Sequence, residues 1–193
     1  MKLIFATNNQ HKLKEIKALV NNGLEILNLS EIGCTDDIPE TGTTIESNAS
    51  QKSFFIFNKF GVNCFADDTG LEIEALNGSP GVFSARYAGE ECCFEKNIDK
   101  VLKELEGVKN RKACFRTVIS LIINGKEKMF VGRVDGDILT ERHGKSGFGY
   151  DPIFRPEGYD ITFAEMTLEL KNSISHRGKA IQELIEYLKT IKK

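Results

Sequence analysis

Phe65-Ala66-Asp67-Asp68-Thr69-Gly70 is the stretch on which the rest of this 193-residue chain is organised. An apolar run, Val62 to Ala66, leads into it and reads as a short buried strand by its length and its aromatic and β-branched content. The two aspartates then fall at the strand's carboxyl end, with Gly70 available for a sharp turn. Side chains alternate along a strand, so Asp67 and Asp68 face opposite ways. One is free to meet a ligand while the other is held by neighbouring donors. In open α/β sheets, ligands collect outside the carboxyl ends of strands. A solvated Asp-Thr-Gly turn is the simpler account of the fragment alone, so its partners elsewhere decide.

Working outward toward the N-terminus, Lys2 to Ala6 reads as a strand. Thr7-Asn8-Asn9-Gln10-His11-Lys12 follows, and then a helix with Leu13, Ile16, Leu19 and Val20 on one face, stopped at Gly23. A strand, polar loop and helix put free N–H groups and a positive dipole end beside the loop. Lys12 in the first turn is unfavourable for the helix unless an anion sits there. Leu24 to Leu29 is a second strand. Thr43-x-x-Glu46 is a capping box for a helix carrying Ile45, Ala49, Ile56 and Phe60 on its inner face. Asn48 and Lys52 share a neighbouring stripe, where Lys52 by itself reads as a surface lysine.

On the other side of the aspartates, Leu71, Ile73 and Ala75 alternate with Glu72 and Glu74 as a half-buried strand. Asn77 to Gly81 is a turn cluster, and Arg86 beside Tyr87 either binds an anion or pairs with a carboxylate. Glu91 to Glu106 is an amphipathic helix with Phe94, Ile98, Val101, Leu102 and Leu105 on its inner face. Arg111 to Ile123 alternates as a strand. Asn124-Gly125 signals a type I′ hairpin, and Met129, Val131 and Val134 continue the return strand. This hairpin excludes a purely parallel sheet. The fold class expected is α/β: a long mixed sheet flanked by helices, in two lobes with a central cleft, within a single domain over residues 1–193.

Gly144-Lys145-Ser146 echoes a P-loop ending, but Leu139 stands where that motif's first glycine belongs. The glycines instead present Phe148, an aromatic suited to stacking on a flat ligand, while Tyr150 and Phe154 read as folded onto the core. Ser175 is a natural N-cap for a last helix whose inner face is Ile181, Leu184, Ile185, Leu188 and Ile191. His176 and Arg177 open that helix with Lys171 close behind.

Composition limits the classes available. Net charge is −2, against the basic surplus of nucleic-acid binders. No run approaches the ~20 apolar residues of a membrane span. Five cysteines without a CxxC support neither a disulfide framework nor a zinc site. A cytoplasmic protein is expected.

The ordered series Thr7-x-Asn9-x-x-Lys12, Glu40-Thr41-Gly42, Asn48-Ala49 with Lys52, Ala66-Asp67-Asp68-Thr69-Gly70-Leu71, Gly78 to Tyr87, Gly147-Phe148-Gly149-Tyr150-Asp151-Pro152 and Ser175-His176-Arg177-Gly178 resembles the Ham1/RdgB family of inosine triphosphate pyrophosphatases. The series spans nearly the whole chain. It departs at Asn8, where the family often has glycine, and at Thr69, where it often has serine. Thr69 keeps the hydroxyl, and asparagine tolerates left-handed backbone.

The resemblance implies Mg²⁺-dependent hydrolysis of ITP, dITP and XTP to the monophosphate and pyrophosphate. It implies Asp68 and Glu40 as metal ligands with Asp67 in support, Asp68 as proton acceptor, and Lys12 and Lys52 at the triphosphate. The substrate contacts it implies are Thr7, Asn8, Asn9, Gln10, His11, Lys12, Thr69, Arg86, Phe148, Gly149, Tyr150, Asp151, Lys171, His176 and Arg177. Phe148 would stack on the purine, and Lys171, His176 and Arg177 would donate to its keto oxygen. A homodimer is also implied. A Maf-like pyrophosphatase of modified pyrimidine nucleotides and a non-catalytic nucleotide-binding protein remain the alternatives.

Overall fold

The computed structural model describes residues 1–20 and 24–191; the helix stop expected at Gly23 lies outside them. Strand β1 (Lys2–Phe5) is followed by helix α1 (Gln10–Leu19) and by β2 (Glu25–Leu27), which returns parallel to β1. Helix α2 (Ile45–Phe60) then crosses over to β3 (Cys64–Ile73), parallel to β1 on its other side. A short β4 (Pro80–Gly81), helix α3 (Phe94–Glu104), and the hairpin of β5 (Lys112–Ile123) and β6 (Lys126–Ile138) come next. Strand β7 (Phe154–Pro156) and helices α4 (Leu168–Ile174) and α5 (His176–Ile191) complete the order. The sheet runs β2-β1-β3-β5-β6-β7, with β4 pairing β3 off that path. It is mixed, as the hairpin required: β1 is parallel to both its neighbours, and the β3–β5, β5–β6 and β6–β7 pairings are antiparallel. Asn124 (φ 50°) and Gly125 (φ 77°) are both left-handed, the condition of the expected type I′ turn.

The aspartates are not at the end of a strand. β3 carries straight through them, so Asp67 pairs with Ile119 and Asp68 with Val118, and the Leu71–Ile73 segment continues the same strand. Ala75 lies in a 3₁₀ turn over Glu74–Leu76. Gly70 makes no turn. It lies in the strand because a Cβ there would come within 2.7 Å of the Gly81 carbonyl of β4.

A strand that long is covered on both faces. Phe65 packs with Leu13 and Ile16 of α1 and Ile181 and Leu184 of α5. Ala66 and Cys64 pack with Ile56 of α2 on the opposite face. Lower down, Leu71 and Ile73 join Ile98 and Val101 of α3, Phe154 and Phe163 in a further cluster. Tyr150 is 4% exposed and Phe154 wholly buried, as expected of both. The capping box lies one residue from its expected place: Thr44 caps α2 reciprocally with Ser47, while Glu46 turns outward to Arg116. Helix α3 begins at Phe94, three residues later than expected.

Gly132 of β6 fixes how closely the sheet meets the start of α5, because a Cβ there would lie 1.9 Å from the His176 carbonyl oxygen. Gly132→Ala is expected to destabilise the protein by about 1–3 kcal/mol through forced displacement of α5. Chemical denaturation measures it, and an unchanged midpoint would show that α5 is not held there.

Candidate active site

β1 ends at Phe5, opposite Phe65. From Asp67 onward β3 has no β1 neighbour, and the gap above β1's carboxyl end is where the helices bring their polar side chains. A cavity of about 290 Å³ opens there. Thr7, Asn8, Asn9, Lys12, Glu40, Lys52, Asp68 and Thr69 line it, together with Phe148, Gly149, Tyr150, Asp151, Lys171, His176 and Arg177. Segments more than 150 residues apart in sequence therefore face one space.

On the α2 side of β3, Asp68 receives Lys52 Nζ at 3.1 Å and Asn48 Nδ2 at 3.4 Å. The same Lys52 Nζ reaches Glu40 Oε1 at 2.5 Å. Lys52 is 5% exposed, not the surface lysine that its spacing alone suggested. Burial and the charge of Glu40 push the Asp68 carboxyl above its ordinary value, although the two lysines oppose this. Burial would lower Lys52, but Asp68 and Glu40 outweigh it and hold the ammonium. Glu40 is partly buried, and Lys52 keeps its carboxyl below the usual range.

On the α1/α5 side, Asp67 accepts from Lys12 Nζ at 3.0 Å and from Arg177 Nε at 3.0 Å. Thr69 receives Arg177 Nη2 at 3.1 Å and shares a 2.6 Å hydrogen bond with Thr117. Although wholly buried, Asp67 is held well below the carboxylate range by Lys12 and Arg177. Asp67 is thus the anion that the lysine in α1's first turn called for. It does not line the cavity, in contrast to Glu40 and Asp68. The leading N–H groups of α1 are less free than expected, because Asn9 Oδ1 accepts from His11 N and Lys12 N. Asn8 is not left-handed, so the tolerance of asparagine for that region is not used.

Glu15 is the residue that sequence reading missed. It lies in α1, 5% exposed, one turn after Lys12. Its Oε1 accepts Lys171 Nζ at 2.6 Å and its Oε2 accepts Arg177 Nη1 at 2.5 Å. Lys171 Nζ also donates to Asp151 Oδ2 at 2.6 Å. The buried charges therefore alternate in one continuous line: Asp151, Lys171, Glu15, Arg177, Asp67, Lys12. Three acids balance three bases, which is what makes burying them tolerable. Glu15 stands two residues from Leu13 and one from Ile16, neither a same-face interval on a helix, so no local spacing marks it as buried.

His176 stacks on Phe115 with ring centroids 4.7 Å apart, and its buried Nδ1 has no hydrogen-bond partner. Burial, Arg177 and Lys171 together push the imidazole well below its ordinary value, so it is neutral. Ser175 caps α5 as expected, its Oγ accepting Gly178 N at 3.1 Å. Phe148 lies against cations, with Lys171 Nζ 5.1 Å and the Arg177 guanidinium 5.6 Å from its ring centre. His11 stacks on Phe148 at 5.1 Å, but neither His11 nor Gln10 lines the cavity. Arg86 is not brought in either, its guanidinium lying over the Phe83 ring at 5.5 Å. Asn97, Phe94, Val82 and Ser84 line the cavity and were not anticipated there.

Glu15→Gln keeps the shape but leaves Lys171 and Arg177 short of one buried negative charge. A loss of about 3 kcal/mol is expected, as for other broken buried pairs. Burial alone would raise the Glu15 carboxyl, but Arg177 and Lys171 bring it below its ordinary value. Its stabilisation is therefore complete above the unfolded-state value of about 4.5 and is lost as pH falls through the lowered one. The stability gap between the wild type and the variant should be level near neutrality and close in acid. Denaturation curves at several pH values measure this, and a gap that widens in acid would contradict the assignment.

The Ham1 family model matches residues 3–187 of the chain. A dITP/XTP pyrophosphatase from Flavobacterium johnsoniae is 53% identical over 192 residues, covering 100% of both chains. Another, from Flavobacterium psychrophilum, is 54% identical over 98% of this chain and 100% of its own. The solved Ham1 protein of Staphylococcus aureus superposes with a TM-score of 0.89 at 40% identity, covering 98% of this chain and 99% of that one. A HAM1 protein from Coxiella burnetii gives 0.90 at 38% identity over 98% and 99%. With its fold and nearly its whole length matched, the chain belongs to the Ham1 family.

Proposed function

We propose that this chain hydrolyses the triphosphates of hypoxanthine and xanthine nucleosides, dITP, ITP and XTP, to the monophosphate and pyrophosphate. The observation that carries the reading is that a carboxylate–lysine cluster and a set of buried hydrogen-bond donors face the same cavity. The dITP/XTP pyrophosphatases that this chain resembles end to end support it.

Lys12 and Lys52 supply the positive charge that a polyphosphate tail requires. Phosphoryl transfer depends mostly on such positioning and neutralisation. Magnesium fits the remaining groups. Glu40 and Asp68 both bond one Lys52 Nζ, so their oxygens are no farther apart than those two bonds laid end to end. An ammonium already stands between them, and the donors are all oxygens. Among the described residues no group of three or more His, Cys, Asp or Glu could hold a metal, but magnesium is ordinarily held by one or two carboxylates together with phosphate and water oxygens. Asp68 and Glu40 would hold the ion, which would neutralise charge on the phosphates. Asp67 serves behind them, keeping Lys12 and Arg177 in place. The family resemblance gives Asp68 as the proton acceptor for the attacking water, although a carboxylate holding the ion would be a weak base.

At the base end, Lys171 and Arg177 are donors only. The unpartnered Nδ1 of His176 is better left as a lone pair than as a buried N–H, which places the ring proton on Nε2. All three residues then offer N–H groups, matching the 6-keto oxygen of hypoxanthine and xanthine. Adenine presents an amino group there, and each donor facing a donor costs ~1–3 kcal/mol. Two such mismatches, ~2–6 kcal/mol together, give a discrimination of roughly 30-fold to 10⁴-fold.

The reading carries a cytoplasmic setting and a homodimer, as the family resemblance implies. No helix among the described residues is long and apolar enough to cross a membrane. Sedimentation at the monomer mass of 21.6 kDa would reject the dimer. The activity itself is tested by incubating the protein with ITP and Mg²⁺ and measuring pyrophosphate, with ATP as the control. Pyrophosphate from ITP is expected at a kcat/KM at least about 30-fold above that for ATP. Asp68→Asn should reduce it by at least about 100-fold with the fold retained. Tight ITP binding without pyrophosphate would turn the reading into that of a binding protein.

A further inference from the structure

We propose that Phe94 is a substrate-contacting residue, the second aromatic wall of the base site facing Phe148, and that it favours purines over pyrimidines by stacking. The proposal rests on the nucleotide reading of the cavity given above and adds a residue to it.

Phe94 is the first residue of α3, on the stripe whose later members Ile98 and Val101 are 1% and 0% exposed. The sequence pattern therefore places Phe94 in the core. It is instead 36% exposed and lines the cavity, because the first turn of α3 overhangs the cleft beyond the edge of the core. That overhang is fixed. Asn97, 2% exposed, accepts Ala88 N at 2.7 Å and donates to the Ala85 carbonyl at 2.9 Å, tying the helix start to the loop on which Ser84 and Ala85 also line the cavity. A large apolar ring is thus held part-exposed on the wall of the cavity.

Its neighbours there are aromatic. The Phe94 and Phe148 centroids lie 6.1 Å apart at 49°, and Phe94 meets the His11 ring edge-on at 6.4 Å. A flat base between two rings needs their planes about 7 Å apart, twice a contact distance of ~3.5 Å. The rings are tilted by 49° with their centres 6.1 Å apart, so admitting a base between them requires one ring to turn as well as to move outward by about an ångström. Phe148 sits between Gly147 (φ 78°) and Gly149 (φ 61°), both left-handed, and Phe94 is at a helix terminus. Stacking is indifferent to the edge groups of a base. It therefore complements the donors of Lys171, His176 and Arg177, which read the edge. A purine's two rings cover both walls better than the single ring of a pyrimidine.

Three variants test the proposal. Phe94→Ala should raise KM for ITP and XTP alike by about tenfold, equal to ~1.4 kcal/mol and within the range of one base–aromatic stack. No matching fall in kcat is expected, and the ITP/ATP ratio should stay as in the wild type. Phe94→Leu keeps the apolar bulk of the helix start but not the π face. It should show the raised KM at the wild-type melting temperature. The chain has no tryptophan, so Phe94→Trp gives the protein a single indole. Titration with inosine monophosphate should quench its fluorescence saturably, and uridine monophosphate should do so more weakly. A wild-type KM in the Leu variant, or an indole indifferent to inosine monophosphate at concentrations that inhibit turnover, would overturn the proposal. If the wild type releases no pyrophosphate from ITP, it is the functional reading that fails, and the indole titration still decides whether Phe94 meets a nucleotide.

Discussion

The whole arrangement depends on burying two adjacent carboxylates in the middle of a strand. Asp67 and Asp68 are 1% and 7% exposed, and they face opposite sides of β3. Neither could stay ionised without cations brought from elsewhere. Each side of the sheet therefore supplies its own. α1 and α5 bring Lys12 and Arg177 to Asp67, while α2 brings Lys52 to Asp68. Lys12, Lys52 and Arg177, which neutralise the aspartates, themselves line the cavity, so charge compensation and site assembly are coupled.

The two sides differ in how fully their charges are spent. Both oxygens of Asp67 and both of Glu15 have a cationic partner, and the line of ion pairs runs on through Lys171 to Asp151 without a break. Such a set is rigid and suits recognition, because its spare N–H groups are aimed by groups that cannot easily relax. Around Asp68 one lysine is shared between two acids, and Glu40 is partly open to solvent. That side has negative charge left over for a divalent cation. His176, neutral and with its buried Nδ1 unpartnered, lines the same cavity.

The large outline was legible from the residues. Alternation over Arg111 to Ile123 and the Asn124-Gly125 turn gave the hairpin, and with it a mixed sheet. The ordered motifs hold most of the residues that line the cavity. What could not be read was long-range geometry. Gly70 looked like a turn because glycine serves turns and close approaches alike, and only the position of β4 separates the two uses. Lys52 looked exposed because nothing local reveals a carboxylate sixteen residues on in sequence, across a helix–strand contact. Glu15 was invisible for the same reason, its partners lying more than 150 residues away. Phe94 obeyed the helical pattern, yet the pattern does not say where the core stops. Arg86 sat in a matching motif, but its loop turns it away from the cavity.

The central claim is that one nucleotide spans both ends, its phosphates between Lys12 and Lys52 and its base among Lys171, His176 and Arg177. A crystal structure with an α,β-non-hydrolysable ITP analogue and Mg²⁺ addresses it most directly. The account predicts a single metal ion touching both Glu40 and Asp68, the polyphosphate against the two lysines, and the keto oxygen within hydrogen-bond reach of the donors. A metal bound without Glu40 or Asp68, or a base lying outside the Phe148 end of the cavity, would contradict it.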